Sequence, residues 1–202
     1  MMELILMGVI STKSLSPVDI ALERLKTFGL SDSDTAIVVV VSEQRLYLVR
    51  GDGDVIRSYP VSTSKFGIGN RFGSYKTPVG AHRIWCKVGD GALYGEIIRH
   101  RKPTGRIAHI RTDTLESGHD YITTREMCLE GLEEGVNKGD SVDSKIRAIY
   151  IHGTADEGRV GRMASYGCIR MRNRDVIELY DLVHVGTLVY IIGDRKLEGA
   201  DD

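Results

Sequence analysis

Cysteine and proline are scarce in this chain of 202 residues, at three and four copies. A small, odd cysteine count excludes a scaffold stapled by disulfides and leaves at least one thiol free or paired outside the chain. Four prolines against 23 glycines point to tight turns rather than a disordered linker. A surplus of either charge is missing too. The 27 Lys and Arg face 28 Asp and Glu, a formal net charge of −1. Holding nucleic acid requires basic charge gathered on one face, so nucleic acid is not expected as a partner. The apolar run Leu4 to Ile10 covers seven residues, far short of the ~20 that span a bilayer. Stable membrane insertion is not expected. Glu3 precedes this run and Lys13 follows it, whereas an export signal begins with basic residues.

What remains, 42% apolar and 27% charged, is ordinary for a globular chain, and the length suits one domain with a sizeable core. We divide it into an N-terminal segment 1–33, a main body 34–195 and a charged tail 196–202. In the first, Ser16 and Pro17 predict a helix start, and Val18, Ala21, Leu22, Leu25 and Phe28 keep helical spacing up to Gly29. From Ala36 the texture is β. Ala36 to Val41, Arg45 to Arg50, Val55 to Val61, Ala81 to Val88, Ile146 to His152 and Thr187 to Ile192 read as strands. Ser62 to Lys76 reads as a surface loop. Ile122 to Leu132 reads as a short helix capped by Thr123 or Thr124, and Asn173 to Val183 as a helix with Val176, Leu179, Tyr180 and Val183 on one face. The predicted class is mostly β with a few short helices.

Chemistry concentrates in Tyr150-Ile151-His152-Gly153-Thr154 and, sixteen residues beyond His152, Cys168 within Ser165-Tyr166-Gly167-Cys168-Ile169-Arg170-Met171. An imidazole and a thiol can act as base and nucleophile. Backbone N–H groups around a turn, with an imidazole near, would lower the thiol pKa. A buried thiol and an ordinary histidine are the competing reading of these two residue types; Gly153 and Gly167, which allow close backbone approach beside each, favour the catalytic one. One Cys and one His without a second closely spaced pair make a poor zinc site, so no metal is expected. Cys86 and Cys128, in apolar company, read as separate buried thiols. His82, His100, His109, His119 and His184 carry no motif, and Gly67-x-Gly69 lacks the context of a nucleotide loop.

The His152-Gly153-Thr154 and Ser165-x-Gly167-Cys168-Ile169-Arg170-Met171 stretches resemble the signature of the L,D-transpeptidase (YkuD-type) catalytic domain. Gln44-Arg45-Leu46-Tyr47-Leu48, Tyr59-Pro60-Val61-Ser62-Thr63, Thr77-Pro78-Val79-Gly80, Arg147 to Ile151, Asn173 to Val176 and Gly186 to Val189 extend the likeness over roughly Ala36 to Ile192. The resemblance implies a β-sandwich-like fold and acyl transfer through a cysteine thioester on peptidoglycan stem tetrapeptides, with release of D-Ala, 3-3 cross-links or a related amide, and no cofactor. It implies Cys168 as nucleophile, His152 as base, and the Gly153 carbonyl as the group that orients the ring. Gly167 and Cys168 N–H groups are the implied oxyanion donors. Arg170, Ser165 and Tyr166 would face substrate, with a structural ion pair as the other reading of Arg170 and packing on the loop as that of Tyr166. Tyr166 stands where the family usually carries His. Water as acceptor would make the protein an L,D-carboxypeptidase, and loss of chemistry a wall-binding module. The implied place is the periplasm or cell envelope, which the first residues do not signal; the cytoplasm is the alternative they leave open. Oligomeric state is not legible.

Overall fold

The computed structural model describes residues 15–193; the apolar run 4–10 and the tail 196–202 lie outside them. Ser16 opens helix α1 (Pro17–Lys26) with a capping box, its hydroxyl accepting from the Asp19 N–H while the Asp19 carboxylate accepts from the Ser16 N–H. Two helices and ten strands follow in all, counting α1: β1 (Thr35–Val40), β2 (Arg45–Arg50), β3 (Val55–Pro60), β4 (Gly80–Val88), β5 (Glu96–Arg99), β6 (Lys102–Ile107), β7 (Ile122–Gly131), β8 (Tyr150–Thr154), β9 (Ile169–Met171), α2 (Asn173–Leu182) and β10 (Leu188–Ile192). The expected mostly-β class holds.

The strands form one sheet in the order β3-β2-β1-β10-β4-β7, which branches at β7. β4 and β5 pair with one edge of β7, and β8 with the other; β9 then adds parallel to β8. The sheet curls until its ends meet. Ser62, just past β3, exchanges backbone hydrogen bonds with Arg170 of β9, 2.8 and 2.9 Å long. Accordingly Leu46 and Tyr59 from one end share a core with Ile151, Ile169 and Met171 from the other, closed by Val176, Leu179 and Tyr180 of α2. On the opposite face Ala21, Leu22 and Leu25 of α1 cover Val38, Val40, Ala81 and Tyr190. No helix among the described residues is long and apolar enough to cross a membrane.

Three sequence-based expectations are corrected. Residues 122–131 form the central strand β7, not a helix: β-branched Ile122 and Thr123 favour extended backbone, and pairing along both edges fixes it, with a bulge at Thr124. Thr123 and Thr124 cap nothing; both hydroxyls donate to the Asn173 carboxamide oxygen. Cys86 and Cys128 are not separate thiols, because they are register partners on β4 and β7 and join as a disulfide. The segment 62–76 is not wholly a surface loop. Ser62, Thr63 and Ser64 are buried: the backbones of Ser62 and Thr63 bond to the 164–170 segment, and the Ser64 N–H donates to Thr77 Oγ1.

Candidate active site

The faces of the curled sheet sort the site residues. Side chains alternate along a strand, so residues in register on neighbouring strands share a face. Met127, Leu129, Ile151, Ile169 and Met171 point into the main core. Glu126 and Cys128 of β7, Tyr150 and His152 of β8, and Arg170 of β9 therefore point the other way. Cys168 directly precedes Ile169, which pairs with Ile151, so Cys168 lies beside Tyr150 on that same face. The thiol and the His152 ring are diagonal neighbours across two parallel strands. Such positions lie about 7–8 Å apart at the backbone, within reach of side chains that lean together. Asp120 and Arg170 act electrostatically on both groups.

His152 is buried, and its Nδ1 lies 2.8 Å from the Gly153 carbonyl oxygen. A carbonyl only accepts, so a neutral ring carries its proton on Nδ1 and leaves the Nε2 lone pair free. Burial lowers the His152 pKa from its ordinary 6.5, against the opposing pull of Asp120 and the Gly153 bond. The ring is neutral at physiological pH. Gly153 has no room for another side chain: a Cβ there would sit 2.5 Å from the Thr123 carbonyl oxygen and 2.7 Å from Asn173 Oδ1. Glycine at this position lets three strands and the α2 N-terminus close around the carbonyl that orients the base.

Cys168 is part-exposed, the free cysteine among the described residues. Burial pushes its thiol up from 9.0 to about 12, helped by Asp120 and Glu126, while the Tyr150 N–H and Arg170 oppose. This reverses the expectation of a lowered pKa. The turn does not offer enough N–H groups to the sulfur, and two carboxylates sit near it. The resting pair is a neutral thiol beside a neutral imidazole.

The turn that carries Cys168 is held from below. Ser165 is fully buried; its hydroxyl donates to the Cys168 carbonyl at 2.6 Å and accepts the Gly167 N–H at 3.2 Å. Ser165 thus braces the turn and does not face a ligand, and the Gly167 N–H is already engaged. Thr77 Oγ1 donates to the Gly167 carbonyl at 3.0 Å, and the Lys65 N–H to the Ser165 carbonyl at 3.0 Å. Arg147, in the loop before β8, donates to the carbonyls of Gly69, Asn70 and Lys76 and so fastens the 62–76 segment against the same turn. Gly167 adopts φ +127°, with the Lys76 carbonyl oxygen 3.3 Å from where a Cβ would lie.

Beside this dyad a pocket of about 340 Å³ is lined by Glu116, Gly118, His119, Asp120, Asp156, Tyr166 and Arg170. Arg170 is buried and ion-paired to Asp120 at 2.7 Å, with its Nε unpartnered. Arg170 makes the structural ion pair that was one of its two readings, and it does so at a pocket wall. Tyr166 is exposed; Lys65 donates to its hydroxyl at 2.9 Å, and Phe66 and Tyr75 pack on its ring. Asp120, Glu126 and Asn173 were not singled out from sequence. Asp120 and Glu126 belong to no spaced motif, and Asn173 entered only as the first residue of a matching stretch and of a helix; the sheet brings all three near the dyad. Among the unassigned histidines, His82 is structural: fully buried, bonded to Gly80 and Ser144, its pKa driven by burial down to about 4.

The family model for the L,D-transpeptidase catalytic domain (YkuD) matches residues 34–191. The chain belongs to this family. It is 32% identical over 162 residues to the probable L,D-transpeptidase ErfK/SrfK of Escherichia coli, covering 77% of this chain and 43% of that protein. Over 41 residues it is 54% identical to the putative L,D-transpeptidase YkuD of Bacillus subtilis, 20% of this chain and 25% of the relative. The chain thus spans less than half the length of these curated relatives. An L,D-transpeptidase structure from Enterococcus faecium aligns with 79% of this chain and 50% of its own at 17% identity and a TM-score of 0.47.

Proposed function

We propose that this L,D-transpeptidase family member is a cysteine acyltransferase acting on peptidoglycan stem tetrapeptides. The observation that carries this reading is one sheet face shared by Cys168 and His152, with the ring fixed by the Gly153 carbonyl so that Nε2 is the free base. Because both groups rest neutral, the thiol loses its proton to Nε2 as sulfur attacks the carbonyl that follows diaminopimelate. The C–S bond forms, the C–N bond to the terminal D-Ala breaks, and the leaving amine takes the proton from Nε2. An acceptor amine then attacks the thioester, gives its proton to the ring and restores the thiol.

The N–H of Cys168 is the proposed oxyanion donor, the Gly167 N–H being held by Ser165. Tyr166 and Arg170 are proposed to face substrate from the pocket wall, Arg170 through its unpartnered Nε. The cell envelope is the proposed location. The Cys86–Cys128 disulfide supports it, since such bonds persist in oxidising compartments.

Incubation with purified tetrapeptide muropeptides and mass spectrometry of the products tests the reaction. Cross-linked dimers with released D-Ala are expected; tripeptides alone would reassign the acceptor to water, and unchanged substrate would reject the proposal.

A further inference from the structure

A second cluster on the catalytic face has no part in the proton transfers above. β4 bulges opposite Cys128, where the register passes from Ile84↔Leu129 to Cys86↔Cys128. The bulge brings Trp85 to the face that carries Tyr150 and Cys168. Its indole N–H is buried with no acceptor. Two cations lie against its ring: Lys145 Nζ at 4.3 Å from the centroid and the Arg101 guanidinium carbon at 5.4 Å. Lys145 also pairs with Glu130 at 3.3 Å. Among the described residues Arg101 pairs with no carboxylate; Glu126, within its electrostatic reach, is buried, and burial raises its carboxyl pKa to about 7.

Arg101 occupies the turn between β5 and β6, at φ +58°, next to His100 at φ +52°. From Ile97 to Ile107 this hairpin holds Arg99, Arg101, Lys102 and Arg106 and no acidic residue. Its tip lies within electrostatic reach of Tyr150 and Glu126, both of which act on Cys168. The opposite side of the dyad is lined instead by Glu116, Asp120 and Asp156. The face is therefore polar end to end, cationic toward Trp85 and acidic toward Asp120.

We infer that Trp85, Arg101 and Lys145 form a subsite for a carboxylate of the donor stem peptide, which fixes the direction in which the peptide lies over Cys168. A buried indole N–H without an acceptor and, against the same ring, a guanidinium without a carboxylate partner leave donors unmatched, and a carboxylate supplies two acceptor oxygens that a planar fork matches. β4, β7, β8 and β9 are successive neighbours, so the Trp85 row lies about 14 Å from Cys168 along the sheet. An extended tetrapeptide spans about that length. This inference rests on the reaction proposed above for its ligand, but not for its test.

Trp85 is the sole tryptophan of the chain, so its fluorescence reports the subsite directly. Cys168→Ala protein is titrated with the stem tetrapeptide and with versions amidated at one carboxylate at a time. We expect a saturable fluorescence change, one amidated version binding about tenfold more weakly, and loss of that discrimination in an added Arg101→Gln or Lys145→Gln substitution. The version that weakens identifies which carboxylate is held. Equal affinity for every version, or discrimination unaltered by both substitutions, would overturn the subsite. Thioester formation by the parent protein is measured in parallel by intact mass. A thioester without discrimination removes only the subsite; discrimination without a thioester removes only the reaction.

Discussion

Glu126 illustrates how a single residue can tie the site to pH. It is buried opposite His152, and one carboxyl oxygen lies 3.4 Å from the Cys128 sulfur, which is bonded to Cys86 and has no proton to give. Burial therefore raises its pKa from 4.5 to about 7, only partly offset by Arg101. A raised folded-state pKa adds stability that is full below pH 4.5 and is lost as pH climbs through 7, up to about 3 kcal/mol. Glu126→Gln should flatten the dependence of melting temperature on pH across that window, read by differential scanning calorimetry. The dyad makes the matching kinetic prediction. With His152 lowered and Cys168 raised to about 12, kcat/KM should be level from neutral pH through 9. A rise through pH 8–9 would mean that a thiolate forms at an ordinary pKa. At the same scale, Gly153→Ala should destabilise the fold by about 1–3 kcal/mol through overpacking, and cut kcat more than KM, because its Cβ displaces the carbonyl that orients the base.

Strands show where sequence reading succeeds and where it stops. β1, β2 and β10 were legible because each is an apolar run bounded by turn residues, and α2 because Val176, Leu179 and Tyr180 repeat with helical spacing on a face that is buried. β7 was not. Its polar positions Glu126 and Glu130 lie on the site's face of the sheet, so the alternation expected of a half-exposed strand is hidden; β5 has only four residues, and β6 is exposed along its whole length and so shows no alternation. The Cys–His pair was legible from its glycines and motif. The reversed thiol pKa was not, since it depends first on burial by the folded sheet and then on Asp120 and Glu126, from β7 and the loop before it. Asn173 joins these elements. It accepts from Thr123 and Thr124, donates to the Thr154 carbonyl and to Glu157, and begins α2. Asn173→Ala would strand these groups, destabilising by about 3 kcal/mol and lowering Tm by roughly 6–12 °C in thermal unfolding. An unchanged Tm would show that the network does not hold β7, β8 and α2 together.

Across the whole molecule, closure of the sheet does the positioning. Ser62 to Ser64, arriving from β3, bond to the turn of Cys168, while the β7–β8–β9 end supplies the base. The turn that carries the nucleophile is thus braced by the far end of the curled sheet, and loosening the curl should let Cys168 shift relative to His152. The Cys86–Cys128 bond, which joins β4 to β7 across 42 residues of sequence, should add about 4 kcal/mol by restricting the unfolded chain. Thiol titration of the denatured protein should find one thiol before reduction and three after, with reduction lowering the denaturation midpoint. The most direct measurement of the central claim is intact mass after brief exposure to a stem tetrapeptide. The protein should gain the mass of the acyl tripeptide at Cys168, lose that adduct in Cys168→Ala and form it far more slowly in His152→Ala; an adduct that persists in Cys168→Ala, or forms at full rate in His152→Ala, would contradict the account.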